Sequence, residues 1–244
     1  MNLLRSILHQ LWMAATVVPW ALFVLVASLF VSSTRLYWLC VGWLRMAVAG
    51  GRVILGIRNR VTGRENLPQG ARDPAILLVK HQSTWETFAL PTLMPHPLAY
   101  VFKRELLFVP FFGWAMGRLD MIHIDRGRRA QAFAKVVRQG RRLLAQGTGV
   151  IMFPEGTRTA RGQAGPYKSG GTRLAVETGV PVIPIAVTSA RCWPRKAFVK
   201  RPGIVDISIG PAIPSAGRAP EELMREVQQW IETEMRRLDP EAYR

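Results

Sequence analysis

The feature that most constrains this chain is a gap in its charges. Residues 6–34 contain no Lys, Arg, Asp or Glu, and the centre of the gap, Leu11 to Val31, reads LWMAATVVPWALFVLVASLFV. Wound as an α-helix at about 1.5 Å per residue, such a run is about as long as the hydrocarbon core of a bilayer is thick. A core helix of a water-soluble domain rarely goes so far without a charge. A cleaved signal peptide has a shorter apolar region and a small-x-small cleavage site, whereas this run continues directly into more apolar sequence. It therefore predicts a retained membrane helix, kinked at Pro19, which membrane helices tolerate. A second apolar run, LYWLCVGWLRMAVAGG, follows Arg35 and carries Arg45 in its middle. It reads as a short or interfacial returning helix rather than a clean span, with Trp38 and Trp43 suited to the interface. Arg52, Arg58, Arg60 and Arg64 come next, and positive flanks stay cytoplasmic. The expectation is a helical hairpin anchor over 1–51, both of its ends on the cytoplasmic side, and a cytoplasmic-face domain over 52–244.

The formal net charge of +17 requires an anionic counterpart: nucleic acid, a membrane surface or an acidic substrate. No helix-turn-helix, zinc or RNA-binding signature is present, and the anchor argues against nucleic acid. Cys40 and Cys192 have no CxxC or Cys/His spacing, so neither a disulfide framework nor a zinc site is expected.

Beyond Gly51, apolar runs of strand length alternate with helical patterns. The strand candidates are Ala75–Val79, Ala99–Phe102, Met121–Ile124, Val150–Phe153, Val182–Val187 and Ile204–Ile209. Gly127–Gln146 carries Phe133, Val137, Leu143 and Leu144 on one side. Pro220–Leu238 opens with Pro, Glu221 and Glu222, a good helix start, and bears an apolar stripe through Leu223, Val227, Trp230, Ile231 and Leu238. The alternation predicts an α/β fold with a mostly parallel sheet flanked by helices.

Four segments follow strand candidates or form one. Lys80-His-Gln-Ser-Thr-Trp-Glu86-Thr stands straight after Ala75–Val79, where α/β sheets place reactive groups. His81 can serve as a general base if Glu86 holds its other ring nitrogen. Positions i and i+5 point about 140° apart on a helix, so the two meet only if His81 lies in the loop and Glu86 on the helix that follows. Taken alone, a solvated loop His is the commoner outcome. Phe153-Pro-Glu155-Gly156-Thr157-Arg158 follows Val150–Phe153. Gly156 allows close approach to a ligand and Arg158 can fork onto phosphate, although a plain turn with a Glu155–Arg158 surface pair is also consistent. Phe102-Lys103-Arg104-Glu-Leu106 sets two cations beside the sheet end. Val180-Pro-Val-Ile-Pro-Ile-Ala-Val187 reads as a buried strand.

In this order and spacing the four segments resemble those of the glycerolipid acyltransferase family, most closely its bacterial 1-acylglycerol-3-phosphate acyltransferases. His81–Glu86 resembles the family's His-x4-Asp motif, Phe102–Leu106 its second block and Val180–Val187 its fourth. Phe153–Arg158 matches its Phe-Pro-Glu-Gly-Thr-Arg block residue for residue. Val109-Pro-Phe-Phe-Gly-Trp114, Ile124-Asp-Arg126 and Tyr167-Lys-Ser-Gly170 also read like family sequence. Two departures stand out: Glu86 replaces the family's Asp, and Lys80 replaces the Asn that often precedes the His.

The resemblance implies transfer of a fatty acyl group from acyl carrier protein or acyl-CoA to the sn-2 hydroxyl of a 1-acylglycerol-3-phosphate, in phospholipid biosynthesis. It implies His81 as base, Glu86 as its partner, and Arg158, Lys103 and Arg104 on the substrate phosphate. Glu155, Gly156 and Thr157 would shape the substrate site. Backbone N–H groups near Gln82 and Ser83 are candidate oxyanion donors. Ser83 is a conceivable nucleophile, but the family's logic activates the substrate's own hydroxyl. No metal or organic cofactor is implied, and the partners are the bilayer, a lipid acceptor and the thioester donor. The implied location is a bacterial inner membrane. Another lysolipid acceptor, such as a lyso-ornithine lipid, or a non-catalytic lipid binder would carry much the same blocks.

Overall fold

The computed structural model describes residues 1–70, 73–125, 127 and 129–243; Arg126, which the sequence reading grouped with Ile124 and Asp125, lies outside them. The chain begins with two long helices, α1 (Asn2–Ala27) and α2 (Ser33–Gly50), the second running on through a π-turn at Gly51–Leu55. Counted to Leu55, both are long and apolar enough to cross a membrane by length and composition. Arg45 therefore does not shorten the second helix as its sequence suggested. Only 11% of the apolar window of α1 is buried, against 33% for the second helix, so α1 is the outer member of the pair. Its Leu4, Leu11, Phe23 and Val26 are exposed, a surface suited to lipid rather than water.

Specific contacts hold the two helices of the hairpin together and tie the hairpin to the rest of the chain. Trp20 Nε1 donates to the Leu39 carbonyl at 3.0 Å, and Trp43 Nε1 to Thr16 Oγ1 at 3.2 Å. The backbone N–H of Lys200 donates to Ser6 Oγ at 2.9 Å. Gly50 and Gly51 let α2 close in: a Cβ at either would come within 2.5 Å of Trp12 or 2.4 Å of Trp85.

After the hairpin come β1 (Ile57–Thr62), β2 (Ile76–Val79), α3 (Trp85–Leu93), β3 (Leu98–Lys103), α4 (Phe112–Met116), β4 (Ile122–Ile124), α5 (Arg129–Ala145), β5 (Gly149–Met152), α6 (Gly170–Thr178), β6 (Val182–Val187), β7 (Gly203–Ile209) and α7 (Pro220–Leu238). The strands form one seven-stranded sheet in the order β1-β7-β6-β2-β5-β3-β4. Every pairing is parallel except β6 with β7. The mostly parallel sheet flanked by helices is thus as expected. The strand absent from the sequence reading is β1. Its outward residues Arg58 and Arg60 looked like a charged flank, but they alternate with Ile57, Asn59 and Val61, and Arg60 pairs with the buried Asp206. These arginines belong to the folded sheet.

Period-two alternation explains how β2 serves two layers. Leu77 and Val79 pack with Trp85, Ala89 and Leu90 of α3 and with Val41 of α2. Ile76 and Leu78 face the other way, against α5, α6 and α7 through Val136, Leu174 and Val227. Burial on both faces is why β2 and β6 read as unbroken apolar runs.

Because β2, β3, β5 and β6 run the same way, their C-terminal ends share one sheet edge. The loops that leave that edge start at residues 80, 104, 153 and 188. They carry His81, Arg104, Glu155, Gly156, Thr157 and Arg158, while Lys103 ends β3 and Glu86 opens α3.

Candidate active site

His81 sits in the loop between β2 and α3, and Glu86 in the first turn of α3, the arrangement their spacing demands. His81 Nδ1 lies 3.0 Å from Glu86 Oε1. The same oxygen accepts the backbone N–H groups of Gln82 at 2.8 Å and Ser83 at 2.7 Å. A carboxylate accepts only, so Nδ1 carries the proton, and in the neutral imidazole this tautomer leaves the lone pair on Nε2. Glu86 is fully buried, while the His81 side chain keeps 13% exposure. The longer Glu arm lets a helix residue reach back under the loop and tie three donors to one oxygen. This corrects the oxyanion assignment: the N–H groups of Gln82 and Ser83 are committed to Glu86. Ser83 is buried, and its Oγ accepts the N–H of Trp85 at 3.0 Å, which fixes the start of α3.

The loop after β5 wraps around the same histidine. Phe153 stacks on the imidazole with ring centroids 4.0 Å apart and planes 21° apart. The His81 N–H donates to Glu155 Oε2 at 2.9 Å, and the His81 carbonyl accepts the Thr159 N–H at 2.8 Å. The main chain of His81 is thus held on both sides by one loop. Gly156 turns that loop at φ +69°, where a Cβ would sit 2.9 Å from Lys168 Nζ. Glu155 is no surface residue: with Lys80 it is completely buried, at 2.7 Å. Lys80 is accordingly a structural cation, not an extra charge at the site.

A cavity of about 570 Å³ opens at this edge, between the loops and the helical hairpin. Trp20, Val24, Trp43, Phe88 and Phe112 contribute to its apolar wall. His81, Thr157 and Arg158 line it together with Lys103, Arg195 and Lys196. Arg158 Nε is buried with no hydrogen-bond partner among the described residues, and the Arg158 carbonyl accepts a bond from Arg195 at 2.7 Å. A mostly apolar cleft with a few converging polar groups is the ordinary form of a small-molecule site.

Arg104 is not brought here. It begins the short 3-10 turn after β3, exposed and outside the cavity wall. There its charge, after burial and Lys135, helps to hold the His123 pKa below the usual imidazole range. Arg195 and Lys196 escaped the sequence reading. They stand on the long β6–β7 connection, in Trp193-Pro-Arg-Lys196, where no motif marks them. Their only local signal was two cations following a strand that ends at the shared edge.

The acyltransferase family model matches residues 58–188, from β1 to the end of β6. The chain belongs to the acyltransferase family. As a whole this acyltransferase is 40% identical over 241 residues to a 1-acyl-sn-glycerol-3-phosphate acyltransferase of Pseudomonas aeruginosa, covering 97% of this chain and 92% of that one. It is 30% identical over 183 residues to the human 1-acyl-sn-glycerol-3-phosphate acyltransferase alpha, covering 74% and 63% respectively. Its fold is shared with the crystal structure of the 1-acyl-sn-glycerophosphate (LPA) acyltransferase, PlsC, from Thermotoga maritima, at a TM-score of 0.80 and 22% identity over 97% of both chains. The match with the Pseudomonas protein takes in the hairpin and α7 as well as the family core.

Proposed function

We propose that this acyltransferase moves a fatty acyl group from an acyl thioester, on acyl carrier protein or coenzyme A, to the sn-2 hydroxyl of 1-acylglycerol-3-phosphate. The product is phosphatidic acid, for phospholipid biosynthesis. The observation that carries the reading is His81 lining an apolar cavity with Nδ1 anchored on a buried carboxylate, beside an arginine whose Nε is unpaired.

The acceptor's phosphate meets Arg158, with Lys103, Arg195 and Lys196 adding positive charge. Guanidinium geometry favours bidentate phosphate binding. His81 Nε2 takes the hydroxyl proton as the oxygen attacks the thioester carbonyl, and Glu86 stabilises the imidazolium that results. Collapse of the tetrahedral intermediate breaks the carbon–sulfur bond, and the departing thiolate takes the proton back. No acyl-enzyme forms, and Ser83 stays a structural residue. The reaction so drawn uses no resident metal or cofactor. The apolar wall receives acyl chain, and the hairpin holds the cavity at the bilayer, on the cytoplasmic face to which the positive-inside rule assigns the arginines after α2.

The test is an assay of detergent-purified protein with lysophosphatidate and a labelled acyl thioester, beside His81→Ala. Phosphatidic acid from the parent, and at least about 10²-fold less from the variant, is the expected result. An equally active variant would remove His81 from the mechanism. No product with either donor, but product with another lysolipid from a panel, would move the acceptor assignment.

A further inference from the structure

Behind His81 lies a buried charge network that the reaction itself does not use. Lys80 is completely buried, and its ammonium spends all three protons: on Glu155 Oε1 at 2.7 Å, Glu232 Oε1 at 2.8 Å and the Gln163 carbonyl at 2.9 Å. Glu155 passes the constraint on, since its other oxygen accepts the N–H of His81 at 2.9 Å. Its first oxygen also accepts the N–H of Gly165 at 3.0 Å. Glu232 belongs to α7, beyond the stretch matched by the family model. The Tyr167 hydroxyl donates to the same Glu232 oxygen at 2.8 Å. Burial, then the charges of Glu232 and Glu155, raise the Tyr167 pKa far above the usual phenol range, so it remains a donor.

The loop after β2, the loop after β5 and helix α7 therefore converge on one ammonium. Lys80 is covalently next to His81, and Glu155 holds the peptide between them. Any change in the position of α7 reaches the imidazole through two buried ionic contacts and one backbone hydrogen bond. Buried charges are costly to leave unpaired, so the network has little freedom to rearrange. We infer that Lys80 and Glu232 are positioning residues for His81, making the C-terminal helix a working part of the active site rather than only a cover for the sheet.

The inference rests on His81 as the base, so His81→Ala is measured alongside. The variants are Glu232→Gln, Glu232→Asp, Lys80→Met and the Lys80→Met/Glu232→Gln pair. Each is assayed for kcat and KM with lysophosphatidate and palmitoyl-coenzyme A, with kcat expressed per folded protein from near-ultraviolet circular dichroism. Misplacing a reacting group by about 1 Å costs on the order of 10²-fold. Lys80→Met is expected to lose about that much, Glu232→Gln about tenfold, both in kcat, with KM for the acceptor within about twofold. Glu232→Asp should recover part of the loss. The pair should be less damaged than the product of its single losses, because it strands only Glu155, whereas Lys80→Met alone strands both carboxylates. If Lys80→Met does not fold, Glu232→Gln still decides. Parental kcat in Glu232→Gln, beside an inactive His81→Ala, would overturn the positioning role and leave the base in place. Losses confined to KM, or strictly multiplicative in the pair, would overturn it too. A fully active His81→Ala would bring down both readings.

Discussion

His81 and Lys103 line the same cavity, but they are held very differently. His81 is gripped at Nδ1 by the start of α3, and at its N–H, at its carbonyl and across its ring face by the loop after β5. Lys103 ends β3 exposed, with no carboxylate partner among the described residues, and Lys196 across the cavity is also exposed and without one. The chemical centre is over-determined, whereas the rim is a set of exposed charges without carboxylate partners among the described residues. A proton-transfer geometry must hold within a fraction of an ångström. A phosphate can be attracted by cations that adjust to it. Substitutions at the centre should therefore act steeply on kcat, and those at the rim gently on KM.

The largest expected effect tests the grip itself. Glu86→Gln leaves the volume but removes the charge that fixes the imidazole tautomer and stabilises imidazolium. It should lower kcat by at least about 10²-fold, within the usual range for general base catalysis. Glu86→Asp keeps the charge on a shorter arm. The Oε1 position that serves Nδ1, Gln82 and Ser83 at once lies one methylene beyond easy reach, so a loss of several-fold, on the order of tenfold at most, is expected. Stopped assays of both variants at saturating acceptor settle this. If Gln costs no more than Asp, the carboxylate charge is not what the grip supplies.

Arg158 stands between the two regimes, partly buried yet open to the cavity. Hydrogen bonds to charged groups contribute about 1.5–3 kcal/mol each. Arg158→Ala should therefore raise KM for lysophosphatidate by roughly 10- to 150-fold at about 1.4 kcal/mol per tenfold, with a smaller change in kcat. A titration that found kcat falling and KM fixed would place Arg158 with the centre instead of the rim.

How much of this could be read from sequence follows the same division. The His81–Glu86 spacing already required a loop and a helix start, because no single helix brings i and i+5 together. The Phe153–Arg158 block announced itself through an unusual run of residue types. What stayed hidden was which side chains are buried. Lys80 read as one more cation at the site and Glu155 as a site-shaping residue or half of a surface pair, since nothing local says that a Lys after a strand will turn inward to meet a helix 152 positions away. Glu232 gave no local signal: nine residues after Leu223 and five after Val227, it stands well round α7 from the apolar stripe, and it is buried where Lys80 and Tyr167 meet it. The sheet was legible where both faces are buried, as in β2 and β6. It was not legible at β1, where an edge strand alternates arginine with half-buried residues. Arg104, adjacent in sequence to Lys103, was separated from it by the pleat and the turn that follows.

That last pair gives the smallest and most discriminating test of the comparison. Lys103 and Arg104 carry the same charge on consecutive residues, but only Lys103 lines the cavity. An exposed ion pair is typically worth about 0.2–1 kcal/mol, so Lys103→Ala should raise KM for lysophosphatidate by roughly 1.4- to fivefold. The effect should shrink as salt is added, because the screening length falls from about 10 Å at 0.1 M to about 3 Å at 1 M. Arg104→Ala should leave that KM unchanged at every ionic strength, for its side chain lies outside the cavity wall. Initial rates against acceptor concentration, at low and high salt, separate the two. Equal effects from both substitutions would mean that the substrate responds to the general basic field of the protein. The rim would then be a diffuse attraction and not a set of placed contacts.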